Sequence, residues 1–286
     1  MIGKTLGRYK ILRTFGSEAD GPRYVAEDTA RGRNVTLRIL PSTIDTEESP
    51  QRREQLRERV RAIAALSHPN VMAIDDFGED QGVAYIATEV LEGQTLRQRL
   101  QEHRLSPVEA VEYARQIADG LAAAHGRDIT HGDLRPENVF ITRSGKIKVL
   151  DFGLEGTTGE PKATQPGYWS PERVEGRPVD PSSDVFSFGA ILYEMLSGSP
   201  AFSGGSAAST MAAVLDNDLP ELSNSASVPP SLEEIVRKCL KKSSDDRYRS
   251  AQDVADAIDA LSEEKTTERP PVDDSESTPR RKWKLF

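Results

Sequence analysis

Hydrophobic positions along the first ninety residues fall in short runs broken by glycine and charge. RYKILRTFG (8–16), PRYVAED (22–28) and NVTLRIL (34–40) are rich in β-branched and aromatic residues, with Gly-containing breaks, and read as strands. QRREQLRERVRAIAALS (51–67) reads as a helix, because Leu56, Val60, Ile63 and Leu66 recur at spacings of four, three and three. His68-Pro69-Asn70 ends it. VMAIDDFG (71–78) and GVAYIATEV (82–90) complete a small sheet. After Gly93 the pattern turns helical. Residues 106–126 form a long helix with Ser106 as N-cap, Pro107 in the first turn and Gly126 at the end. Strands follow at NVFI (138–141) and KIKVL (146–150), then helices at 182–198, 231–242 and 250–261. No internal repeat is present, and the apolar period stops after Leu261.

This order predicts an α+β, bilobal chain: a small antiparallel sheet lobe with one helix, then a larger, mainly helical lobe. The expected divisions are a lead at 1–7, a small lobe at 8–92, a large lobe at 93–262 and a disordered polar tail at 263–286, with the hinge near Glu89–Gly93. The 286 residues, 36 % hydrophobic and 29 % charged, suffice for a two-lobed core. The net charge of −9 sits mainly in residues 93–262, which carry 18 basic and 25 acidic groups. That balance argues against nucleic-acid binding, which needs a basic face. Cys239 is the one cysteine and no Cys/His cluster offers a zinc site. With no signal peptide or long apolar run, a cytoplasmic location is expected.

Candidate chemistry concentrates in two stretches of the large lobe. HGDLRPEN (131–138) sets Asp133 five residues before Asn138, and DFG (151–153) follows thirteen residues after Asn138. Asp and Asn groups at strand and loop ends hold magnesium and a hydroxyl near phosphates. Together with SPE (170–172), Asp184 and Arg247, these motifs resemble the eukaryotic-like protein kinase superfamily, most nearly its bacterial serine/threonine branch, over residues 8–262. The resemblance implies that Asp133 is the catalytic base, assisted by Arg135, and that Asn138 and Asp151 are the metal ligands. It also implies that Glu172 pairs with Arg247, that Asp184 props the catalytic loop, and that Ile63, Ile74, His131 and Phe152 stack through the core.

The small lobe departs from that family. Gly16 and Gly21 match the first and third glycines of the phosphate loop, but Glu18 holds the second position. VTLR (35–38) puts Arg38 where the phosphate-binding lysine is expected, and Arg59 falls where its glutamate partner belongs; a register one residue different would restore Glu58. The ATP pocket implied by the resemblance is completed by Glu89 and Leu91 at the hinge. It is altered by Arg23, Thr36 and Phe140, and Phe140 with the stem of Arg23 is expected to fill the adenine slot. Gly132 replaces the arginine before the catalytic Asp, and Gln165 replaces the usual threonine, leaving Thr157, Thr158 and Thr164 as phosphorylatable groups.

Three functions remain open on these residues. The first is a pseudokinase acting as a scaffold or regulatory binding module for a protein partner. The second is a weak or atypical ATP-dependent serine/threonine kinase using Asp133, Asn138 and Asp151. The third is a nucleotide-responsive switch without turnover. ATP with Mg or Mn is the cofactor the resemblance implies, and the substitutions leave its retention open. Arg280, Arg281, Lys282, Trp283 and Lys284 suit an anionic membrane surface, or the edge of a span in a chain continuing past Phe286; a solvated terminus explains them equally.

Overall fold

The computed structural model describes residues 1–18, 21–40, 50–152, 165–219, 221–222 and 228–267. The alternating segments pair as β1 (Thr5–Leu6), β2 (Tyr9–Glu18), β3 (Gly21–Asp28), β4 (Arg33–Ile39), β5 (Ile74–Asp80) and β6 (Val83–Thr88). They form one antiparallel sheet in the order β1-β2-β3-β4-β6-β5. One face buries Tyr9, Ile11, Val35, Leu37, Tyr85 and Ala87 as a core of its own. The helix α1 (Pro50–Ala64) packs beside β5, turning Val60 and Ile63 inward. It stops before Leu66, which is buried from the loop ahead of His68-Pro69.

A second sheet, β7 (Gly93–Thr95), β8 (Val139–Thr142) and β9 (Ile147–Val149), lies beyond the hinge. The helices of the large lobe are α2 (Leu96–Glu102), α3 (Pro107–His125), α4 (Pro171–Val174), α5 (Pro181–Ser197), α6 (Ala207–Asp216), α7 (Pro230–Cys239) and α8 (Ala251–Thr267). Ser106 caps α3 through a reciprocal box with Glu109, as the sequence predicts. Nearly every side chain of α5 from Ser183 to Leu196 is buried, so this helix is the spine of the lobe. Asp180 caps its start, and Gly198, at φ 77°, closes its end in the left-handed region. On α3, Gly120 lets the backbone pass close to the small-lobe connection; a Cβ there would sit 2.8 Å from the Asn70 carbonyl oxygen.

Helices α2, α4 and α6 were not legible from periodicity. The short α2 is nucleated by a Thr95–Gln98 capping box, and α6 by a Ser206–Ser209 box. Helix α8 continues to Thr267, beyond the expected start of the polar tail, while the basic end at 280–284 lies outside the described residues. Among the described residues no helix is long and apolar enough to cross a membrane.

Candidate active site

The loop after α3 and the end of β9 bring the chemical residues to the junction of the lobes. Asp184, buried at the start of α5, accepts hydrogen bonds from the backbone N–H groups of His131 (2.7 Å) and Gly132 (2.9 Å) and pairs with His125 Nε2 at 2.8 Å. One carboxylate thus fixes the direction of the whole 131–138 loop. Gly132 takes φ 78°, which glycine adopts without steric cost. The side chain of His131 is fully buried, and burial lowers its pKa despite the nearby carboxylates. Its partners agree with a neutral ring: Nε2 donates to the Leu150 carbonyl at 2.9 Å, and Nδ1 accepts from the Asp133 N–H at 3.2 Å. The ring lies 4.8 Å from that of Phe152, and Phe152, Ile63 and Ile74 belong to one buried core. Of the stack expected from the sequence, the contact between His131 and Phe152 is formed.

Asn138 donates from Nδ2 to the Asp133 carbonyl oxygen at 2.8 Å, tying the two ends of the loop together. The Asp133 carboxylate is flanked by arginines: Arg173 Nη1 donates to Oδ1 at 3.0 Å, and Arg135 Nε lies 3.3 Å from Oδ2. Arg173 also donates to the Gly132 carbonyl at 2.6 Å and stacks over Trp169 at 4.3 Å. Arg173 carries no signal of its own in the sequence. It directly follows Glu172, and only the folding of 165–174 under the loop places it against Asp133.

Asp151 is held in the same way. Arg38 Nη1 donates to Oδ1 at 3.0 Å and Arg23 Nη2 to Oδ2 at 3.5 Å. Burial by itself would raise the Asp151 pKa, but the guanidinium groups of Arg38 and Arg23 outweigh it and hold the carboxyl below its ordinary value. Asp151 sits at φ 56°, a conformation costing of order 1–3 kcal/mol for a non-glycine residue, which the two ion pairs help to offset.

Arg38 and Arg23 are directly opposed on β4 and β3, so both reach the cleft from one sheet face. The expected confrontation of Arg38 with Arg59 gives way to this arrangement. Helix α1 buries Val60 and Ile63 and leaves Arg59 and Glu58 exposed, while Arg38 is buried with its charge answered by Asp151. An exposed cation stays hydrated, whereas a buried one needs a counter-charge. Arg23 directs its head to Asp151, and Phe140 is half-buried on β8 opposite Thr95 and Lys148. Thr36 is buried opposite Thr88. At the hinge, Glu89 accepts from Lys148 Nζ at 2.9 Å and from the Ala73 N–H at 2.8 Å, and Leu91 is half-buried. Gly16 and Gly21 lie in β2 and β3, and Glu18 pairs with Gly21 across the hairpin. Thr157, Thr158 and Thr164 lie outside the described residues.

Below the cleft, Glu172 receives both Arg247 Nη groups, at 2.8 and 2.9 Å. Desolvation opposes ionisation there, but hydrogen bonds from Arg247 and Ser183 bring the Glu172 pKa down to about 2. Arg97 of α2, which the sequence did not flag, donates to Glu137 at 2.8 Å and to Glu194 at 2.7 Å, and also bonds the Tyr168 hydroxyl.

The model for "protein kinase domain" matches residues 9–257. The chain belongs to the protein kinase family. The chain is 34 % identical over 280 residues to the serine/threonine-protein kinase PrkC of Bacillus subtilis, covering 94 % of this chain and 43 % of that protein. It is 32 % identical over 271 residues to the serine/threonine-protein kinase PknD of Mycobacterium tuberculosis, covering 91 % and 40 %. The chain thus spans less than half the length of these relatives. The crystal structure of the Mycobacterium tuberculosis PknI kinase domain superposes with a TM-score of 0.75 at 23 % identity, covering 91 % of this chain and 98 % of that one, and supports the fold.

The metal implied by the family meets an obstacle in these side chains. Both Asp151 oxygens face guanidinium groups. In this arrangement Asp151, one of the two implied metal ligands with Asn138, is engaged by Arg38 and Arg23.

Proposed function

We propose that this kinase-fold chain is a signalling pseudokinase, a scaffold or regulatory module that binds a protein partner without turning over ATP. The observation that carries the reading is the capture of Asp151 by Arg38 and Arg23. Phosphoryl transfer depends mainly on positioning and on charge stabilisation, and both suffer when the metal-binding carboxylate is committed to arginines. The paired arginines on Asp133 support the same reading, because the group assigned to receive the substrate proton already accepts a hydrogen bond from Arg173. Incubation with labelled ATP, magnesium or manganese and a general protein substrate should give no transfer above that of Asp133→Asn. Transfer that disappears in Asp133→Asn overturns the proposal.

A second reading, a weak serine/threonine kinase, is favoured by the link between Asn138 and Asp133 and by the contact of His131 with Phe152. The names of the relatives point the same way. On that reading Arg38 anchors phosphate, and Arg38→Ala abolishes transfer.

A further inference from the structure

We infer that Arg173 is a built-in clamp that holds the 165–174 segment in one conformation against the 131–138 loop, with no phosphate needed to order it. The inference goes beyond the pseudokinase reading. It concerns the shape of this face and holds whether or not ATP is turned over.

The segment is gripped from both ends of the loop. At the start of the loop, Arg173 Nη1 donates to the Gly132 carbonyl at 2.6 Å and to Asp133 Oδ1 at 3.0 Å. At its end, Glu137 accepts from Gln165 Nε2 at 2.9 Å. Between these anchors, Ser187 of α5 donates to the Tyr168 carbonyl at 2.7 Å, and Arg97 bonds the Tyr168 hydroxyl. Phosphorylation orders a segment by supplying an anion for an arginine. Here the anion is Asp133, a carboxylate the chain always carries, and the arginine belongs to the segment itself. Gly132 has no side chain to reach outwards, so the cation comes from the segment side. The contact is sheltered: the Arg173 and Asp133 side chains are 15 % and 25 % exposed, which limits screening by salt. Trp169 supports the guanidinium 4.3 Å from its ring centroid, and Asp184 fixes the loop through the N–H groups of His131 and Gly132. Arg173 is thus a positioning residue, acting on the segment through Asp133 and the Gly132 carbonyl.

The test is hydrogen–deuterium exchange on the full chain after phosphatase treatment, with intact mass confirming that no phosphate remains. Peptides over 165–174 should exchange more slowly than an unstructured peptide of the same sequence. Arg173→Met keeps an apolar stem over Trp169 and removes every donor. It should speed exchange at 165–174 by about tenfold or more, while peptides over 185–196 of α5 keep their rates. Asp133→Ala changes only the loop, and it should have the same effect on 165–174. Where one variant does not fold, the other decides. Unprotected exchange at 165–174 in the phosphate-free chain overturns the clamp. Unchanged rates in a folded variant overturn it too, as does equal acceleration in α5, which would mean general loosening. Phosphoryl transfer that disappears in Asp133→Asn removes the pseudokinase reading and leaves the clamp standing.

Discussion

Arg38 of β4 donates to Asp151 across the cleft at 3.0 Å, joining the small lobe to the large one through a partly buried ion pair. Removing one partner leaves the other poorly solvated and short of counter-charge. Arg38→Ala should therefore lower stability by about 3 kcal/mol. A double-mutant cycle with Asp151→Ala should return a coupling of at least about 1 kcal/mol by urea unfolding. Additive effects would show that the pair does not join the lobes.

The Glu172–Arg247 pair sets an acid dependence. The folded pKa of Glu172 is about 2 against an ordinary 4.5, so the carboxylate favours the native state above the unfolded value. That stabilisation is lost as pH falls from about 4.5 towards 2, and it amounts to about 3 kcal/mol. Glu172→Gln should lower stability at neutral pH and flatten the acid limb of a stability–pH profile. Parallel acid limbs in the two proteins would refute this.

Arg97 gathers Glu137, Glu194 and Tyr168 from three separate segments, and Glu194 is only 5 % exposed. Burial beside the Glu194 carboxylate pushes the Tyr168 hydroxyl up, so it stays a neutral donor to that carboxylate. Arg97→Met should cost about 3–5 kcal/mol and speed amide hydrogen exchange at 166–169. Arg97→Lys should recover little, since a point charge cannot bond three partners in the plane of a fork. Full recovery by lysine would reduce the role of Arg97 to charge alone.

Arg173 reaches Asp133 while lying over Trp169. In a Trp283→Phe background, Arg173→Ala should shift the Trp169 fluorescence emission and cost about 1–2 kcal/mol. An unchanged spectrum would mean that the stacked arrangement is not kept in solution.

Much of this was legible in the sequence because it is local. Ser106 and Glu109 announce the start of α3, and the spacing of Val60 and Ile63 places α1 against the sheet. The order of Asp133, Asn138 and Asp151 locates the cleft. Helices α2 and α6 escaped because each is short and declares itself through a capping box, not through an apolar period. Arg97 and Arg173 escaped because nothing in their own neighbourhoods differs from a solvated arginine; their partners are other parts of the chain.

Along the chain, then, strand alternation, helix caps and motif order determine an α+β bilobal kinase fold and identify Arg38 as the substitution that matters. They leave open where its charge goes. Arg38 is 113 residues from Asp151, and Arg23 is 128 residues from it. A buried charge is paired by distance and by the polarity around it, quantities that exist only after the lobes close. Sequence spacing set Arg38 against Arg59; packing exposed Arg59 on α1 and brought Arg38 to Asp151, because burying two like charges costs more than burying two opposite ones.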